Sequence, residues 1–161
     1  MERLFIVRPG QAHGESLTDD GRNQVSRLAS QIAECIAPAA RVTVLTCPHP
    51  LFRQTAQIIF LKLRSPERTV TEPQGILLLC PGASLAKVHK VVVQCQAHCD
   101  ALILSVPTDV ANTYPVYARQ LLCGQEGEAP AVGEAHAICL SLSTGRFGVL
   151  HPGQSAVVPV A

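Results

Sequence analysis

Arg8, Pro9 and Gly10 close the apolar run Leu4-Phe5-Ile6-Val7, and their types limit what chemistry can happen there. A guanidinium can hold an anion, and a glycine permits a tight turn. The residue between them is a proline, whose side chain has no nitrogen, lone pair or titrating group. No covalent group transfer can run through it, because a nucleophile must donate an electron pair. Two imidazoles lie close by in sequence: His13, in the loop after the apolar run, and His49, in the turn Cys47-Pro48-His49-Pro50. Either can bind an anion or act as a nucleophile, and either can equally be a solvated loop histidine. Arg8 also has two readings, anion binding or the capping of strand-end carbonyls and carboxylates.

The seven cysteines are Cys35, Cys47, Cys80, Cys95, Cys99, Cys123 and Cys139. An odd number scattered through apolar segments reads as reduced thiols used as small core residues. The cluster Cys95-Gln96-Ala97-His98-Cys99 gathers three soft ligands and raises the question of a metal or of thiol chemistry. Cys95 and Cys99 fall one helical turn apart, and no second ligand pair at zinc spacing occurs elsewhere. No metal and no cofactor are therefore expected. His89, His136 and His151 are read as structural or exposed.

The elements that must position these residues follow from periodicity. Residues 3–7 read as a buried strand stopped by Pro9-Gly10. A polar loop over 11–16 precedes a helix over about 19–36. Thr18 supplies its N-cap oxygen, and Asp19 and Asp20 favour the positive end of its dipole. Val25, Leu28, Ile32 and Ile36 recur on one face. Residues 42–46 are a continuous, largely β-branched run suited to a central parallel strand. A helix over about 51–63 follows, then a polar connection over 64–74 and an extended piece at 76–79. Ser84 opens a helix running to about His98. Residues 101–105 form another buried strand, and a helix spans about 109–122. Two strands, 135–142 and 146–150, are joined by Ser143-Thr144-Gly145. The apolar tail, residues 156–161, either covers the sheet edge or is disordered.

Strands alternating with helices predict an α/β fold, a three-layer sandwich with a mostly parallel central sheet. Ligands in such sheets bind beyond the carboxyl ends of the strands. The turns at 8–10, 47–51 and 106–109 should therefore converge on one crevice. The 161 residues suit one domain over 1–161, with 47% hydrophobic and 16% charged residues marking a globular chain. A formal net charge of +1 without a basic run gives no electrostatic commitment to nucleic acid or acidic membrane. With no apolar leader or spanning run, a cytoplasmic protein is expected.

Four motifs occur in order. Residues 4–10 resemble a hydrophobic-Val-Arg-His-Gly strand end, and Leu17-Thr18-Asp19-Asp20-Gly21-Arg22-Asn23-Gln24 is similar to a Leu-Thr-x-x-Gly-x-x-Gln helix start. Cys47-Pro48 followed by Gln54-Thr55-Ala56 resembles Ser-Pro-x-x-Arg-x-x-Gln-Thr-Ala. Leu104-Ser105 before a turn looks like a Val-Ser-His segment. Together they resemble the histidine phosphatase (phosphoglycerate mutase-like) superfamily, and the short length without a lid points to its SixA-like phosphohistidine phosphatases. The resemblance implies a phosphoglycerate mutase-like fold and a pocket of two histidines and two arginines. One histidine attacks phosphorus, and the other three groups stabilise the transferring oxygens.

Carried over residue by residue, only Arg8 survives. The nucleophile position is Pro9, the second arginine position is Leu51, and the second histidine position is Val106. No catalytic residues are expected, and Arg8, His49 and His13 remain as anion-binding candidates. Arg53 is two helical residues from Leu51 and so should face away from the lost clamp. The resemblance thus implies a catalytically inactive homologue kept as a binding or regulatory module, with a phosphohistidine-bearing signalling or phosphotransfer protein as its partner. The alternative is a phosphohistidine phosphatase, or another phosphomonoesterase, with a site rebuilt on His49 or His13.

Overall fold

The computed structural model describes residues 1–152 and 158–160. The chain runs β1 (Arg3–Val7), a small hairpin of β2 (Ala12–His13) and β3 (Ser16–Leu17), α1 (Asp19–Cys35), β4 (Arg41–Thr46) and α2 (Pro50–Leu63). Two short strands, β5 (Thr69–Val70) and β6 (Gln74–Gly75), and a 3-10 turn at Leu77–Leu79 lead to α3 (Leu85–Gln96). Then come β7 (Ala101–Ser105), α4 (Thr108–Cys123), β8 (Ala137–Ser141), β9 (Phe147–Leu150) and β10 (Val158–Val160).

The main sheet has the order β10-β9-β8-β1-β7-β4-β5, with β6 also paired to β4. Pairings among β1, β7, β4, β5 and β6 are parallel, and β8, β9 and β10 add an antiparallel edge beside β1. The alternation of side chains along the strands feeds two cores. Leu4, Ile6, Leu102 and Leu104 pack with Val88 and Val92 of α3 and with Val110 and Tyr114 of α4. Phe5, Val7, Val44 and Ile103 pack on the other face with Leu28 and Ile32 of α1 and Ile59 of α2. The result is the predicted three-layer α/β sandwich with a mostly parallel sheet. Leu4, Phe5, Ile6 and Val7 are fully buried, each worth about 1.5–3 kcal/mol of transfer free energy. Among the described residues, no helix is long and apolar enough to cross a membrane.

Several expectations are corrected. Residues 76–79 do not extend as a strand. Only Gln74 and Gly75 pair with β4, opposite Leu45 and Thr46, and Ile76 makes one last bond to the Thr46 carbonyl. Past that point β4 has ended, so no ladder remains to hold an extended chain. Leu77–Leu79 coils into a 3-10 turn that buries Leu79 and leaves Leu77 exposed. The loop at 11–16 contains all of β2 and the first residue of β3, and the connection at 64–74 contributes β5 and the first residue of β6. The strand expected from 135 begins at Ala137, because Ala135 takes a left-handed φ of 51° that ends any extended run. In the tail, residues 158–160 pair antiparallel with β9, while 156, 157 and 161 lie outside the described residues.

The amino ends of β1, β4 and β7 are clamped by Asp100. Its backbone carbonyl accepts from the N–H groups of Glu2 and Arg3, at 2.7 and 3.2 Å. Its carboxylate accepts from the Arg41 N–H at 2.9 Å and from the Arg41 guanidinium at 2.9 and 3.2 Å. The bond from the Arg41 side chain, helped by its backbone N–H, holds the Asp100 carboxyl down to about 2. A carboxyl whose pKa is lower in the folded chain adds stability that is full above the unfolded value, about 4, and lost as pH falls through the folded one. Asp100→Asn should therefore lower the urea midpoint at pH 6, and its difference from wild type should shrink as pH falls from about 4 towards 2. The Asp100 side chain is 36% exposed, so screening keeps that difference modest.

Candidate functional site

The carboxyl ends of the three central parallel strands meet side by side. The Cys47 N–H donates to the Ser105 carbonyl at 3.0 Å and the Val106 N–H to the Val7 carbonyl at 3.1 Å. The Ser105 hydroxyl donates to the Phe52 carbonyl at 3.1 Å, tying the end of β7 to the first turn of α2. Arg8, Pro9, Cys47 and Val106 thus belong to one end of the sheet.

The backbone of β1 makes its last ladder bond at Arg8, whose N–H donates to the His136 carbonyl at 3.0 Å. Pro9 follows, half-buried, where no N–H is needed, and its carbonyl accepts from the Ala135 N–H at 2.7 Å. The Arg8 side chain turns towards the loop before β8, where Nη1 donates to the Val132 carbonyl. The capping of a backbone carbonyl, one of its two sequence readings, is present in this bond. That bond uses one of five guanidinium donors, and Nε is buried without a partner among the described residues.

The turn after Pro9 is seated on α1 by backbone contact. A Cβ on Gly21 would run into the Gln11 carbonyl, and one on Gly10 would stand 2.5 Å from the Gly21 carbonyl oxygen. Thr18 Oγ1 accepts from the Gly21 N–H at 3.0 Å, the predicted N-cap. Gln24 Oε1 accepts from the Gln11 N–H at 3.0 Å. Gln54 plays the same part for the hairpin, accepting from the Leu17 N–H at 3.0 Å. These residues position the chain around Pro9.

The two imidazole candidates are both exposed. His13 is exposed on β2. His49 is 41% exposed, lies edge-on to Phe52 and places Nε2 at 3.3 Å from Glu15 Oε1, linking the β4–α2 turn to the β2–β3 hairpin. Arg53 is exposed, as expected from its helical phase. Leu51 packs half-buried against the core of α1 and α2, whereas Val106 has no exposed surface and belongs to the opposite core. Of the two apolar positions that the resemblance puts at the site, Leu51 is half-buried and Val106 lies in the interior. Its predecessor Ser105 is also fully buried.

One pair of functional groups escaped the sequence reading. His136 and His151 stand edge to face with ring centroids 4.3 Å apart, and His136 Nδ1 is buried without a partner among the described residues. Burial, then the His136 neighbour, lowers the His151 pKa. Because β8 runs antiparallel to β1, its entry residue lies beside Arg8. The β8–β9 register, with Ala137 opposite Leu150, sets the two histidines side by side, and the two strands joined by Ser143-Thr144-Gly145 are the signal the sequence offers. The Cys95, His98 and Cys99 cluster is split, with His98 exposed, Cys99 buried and its thiol bonded to the Cys95 carbonyl at 3.3 Å. No group of three or more metal-ligating side chains occurs among the described residues. A cavity of about 210 Å³, bordered by Arg3, Cys35 and Asp100, lies at the other end of the sheet.

The glycine contact yields a direct test. Gly21→Ala should destabilise the fold by about 1–3 kcal/mol, read as a lower urea midpoint, because the clash is with backbone that cannot rotate away.

No family model and no curated protein matches the sequence. Solved structures do match. A protein assigned as the phosphohistidine phosphatase SixA from Agrobacterium tumefaciens superposes with a TM-score of 0.56 at 13% identity, covering 87% of this chain and 91% of that one. The ecdysone phosphate phosphatase of the silkworm Bombyx mori gives 0.59 at 9% identity, covering 100% and 96%. Phosphoglycerate mutase from Plasmodium falciparum gives 0.57 at 13% identity, covering 99% and 93%. At such identities the likeness is one of architecture, and with the sheet order above it establishes that this chain has the histidine phosphatase, phosphoglycerate mutase-like fold.

Proposed function

We propose that the protein is a binding or regulatory module on a histidine phosphatase fold, without covalent phosphoryl transfer, that engages a phosphohistidine-bearing signalling or phosphotransfer protein. One observation carries this reading: just past the carboxyl end of β1 stands Pro9, a side chain with no nucleophilic atom. Its surroundings support it. Arg8 is partly committed to the Val132 carbonyl, Leu51 is apolar, and Val106 is withdrawn into the core. An apolar neighbourhood disfavours burying a phosphate dianion deep in the site. A phosphoryl group carried by a partner would instead sit at the rim, near the remaining Arg8 donors, with the partner's own surface supplying most of the contact. The names of the neighbouring structures supply the substrate class by analogy of fold alone.

Removing the nucleophile of a covalent enzyme costs on the order of 10⁶-fold in turnover. Phosphatase assays with phosphohistidine peptide and a small aryl phosphate should therefore show no turnover above background. Titration calorimetry with the same peptide should show binding that Arg8→Ala weakens. Turnover comparable to an active phosphatase, abolished by Arg8→Ala, would overturn the reading.

A second reading rests on the His49–Glu15 pair, since a carboxylate at 3.3 Å can orient and polarise an imidazole. It makes the protein a phosphatase with a rebuilt site. It requires an acid-labile phosphoenzyme that forms with small phosphate donors and disappears in His49→Ala. With the binding module, neither variant nor wild type should trap phosphate.

A further inference from the structure

Two thiols meet at the same end of the sheet. Cys47 follows the last residue of β4 and is fully buried; Cys80, 33 positions later, closes the 3-10 turn and is half-buried. Their sulfurs are 3.4 Å apart, with the Cys47 thiol donating to Cys80. A disulfide needs about 2.05 Å between sulfurs, so bonding asks for an approach of roughly 1.4 Å, within reach of small side-chain rotations. All seven cysteines are free thiols in this structure. Cys95 and Cys99, by contrast, are arranged with the Cys99 thiol turned to a backbone carbonyl rather than to its neighbour's sulfur.

We propose that Cys47 and Cys80 are a redox modification site that closes to a reversible disulfide when a hydroperoxide acts as oxidant. Cys80 is the less buried of the two residues and reacts first. Its sulfur attacks the peroxide O–O bond, giving a sulfenic acid and, from hydrogen peroxide, one water. The Cys47 sulfur then displaces the sulfenic hydroxyl, which leaves as a second water carrying the Cys47 proton. Two thiols are oxidised by two electrons, and one peroxide is reduced to two waters.

Burial raises the Cys47 pKa, which makes this thiol a poor first nucleophile and suits it to the resolving role. That role depends on proximity, and the proximity is already present. The bond would fix the turn that carries the exposed Leu77 and Leu78 onto the end of β4, beside the entry to α2. The neighbouring Gly82 N–H is already held by the Asp109 carboxylate at 3.0 Å, so the segment would be pinned to both β4 and α4. This inference stands on the two sulfurs and does not depend on the proposed function.

The test uses the full chain, reduced, freed of reductant and treated with hydrogen peroxide, then alkylated and digested without reduction. The expected product is a linked peptide pair joining Cys47 to Cys80, lighter by two hydrogens than the separate thiol peptides. The unfolding temperature should rise by about 4 °C or more and return on adding dithiothreitol, since a bond closing this loop restricts the unfolded chain. Cys80→Ser, a change at a half-exposed position, should remove both the link and the shift. Alkylation of both Cys47 and Cys80 after peroxide would overturn the proposal. So would a disulfide found only at another pair, such as Cys95 with Cys99.

Discussion

The contact on which this end of the molecule depends is backbone against backbone: the turn at Gly10 and Gln11 lies directly on Gly21 in the first turn of α1. Neither glycine can carry a Cβ without moving the other segment. The approach lets Gln24 reach the Gln11 N–H and lets the Gln11 carbonyl accept from the Thr18 N–H at 3.0 Å. Since α1 is in turn locked to α2 across the Phe5 and Ile103 face, the end of β1 is held by the core itself. Whatever residue occupies position 9 is presented at the same place.

This explains which parts of the resemblance survive. Gly10, Thr18, Gly21, Gln24, Gln54 and Ala56 each satisfy a backbone group, permit a close approach or fill the core. Their loss would cost folding stability whether or not the protein catalyses anything. Positions 9, 51 and 106 would have to supply a nucleophile, an anion clamp and an electrostatic partner, and they carry proline, leucine and valine. Polar side chains gathered there without a phosphate would repel one another or require desolvation. Leu51 and Val106 instead join the two cores. The scaffold is selected by packing and the chemistry by a ligand, so the two can be lost independently.

The legible part of the sequence was the part fixed by local pattern. Thr18 before two aspartates marked the start of α1, and the run at 101–105 marked a strand buried on both faces. What failed depended on neighbours distant in sequence. Leu77, Leu78 and Leu79 look alike in a string of leucines, yet only Leu79 reaches the core, because β4 ends two residues too early to pair with the rest. Val106, which the resemblance puts at the second histidine position, lies in the interior. Its N–H bond to Val7 continues the ladder by one residue and draws the side chain inside. The His136–His151 pair follows from the β8–β9 hairpin, whose register sets Ala137 opposite Leu150 and the two histidines one step beyond, a register that no periodicity within 135–142 discloses.

Proline at position 9 is also a structural solution in its own right. An internal strand residue without an N–H would leave a neighbour's carbonyl unpaired. Here the ladder to β8 ends at the Arg8 N–H, so position 9 has no donor to supply. Its carbonyl is still used, by Ala135, whose left-handed backbone turns the chain into β8. An imidazole at this position would keep the same backbone bond and add a polar ring next in sequence to the Arg8 guanidinium. Without phosphate to share, that ring would carry a desolvation cost with no compensating contact. The proline avoids that cost and leaves the bonds of the Arg8 N–H to His136 and of the Ala135 N–H to Pro9 in place.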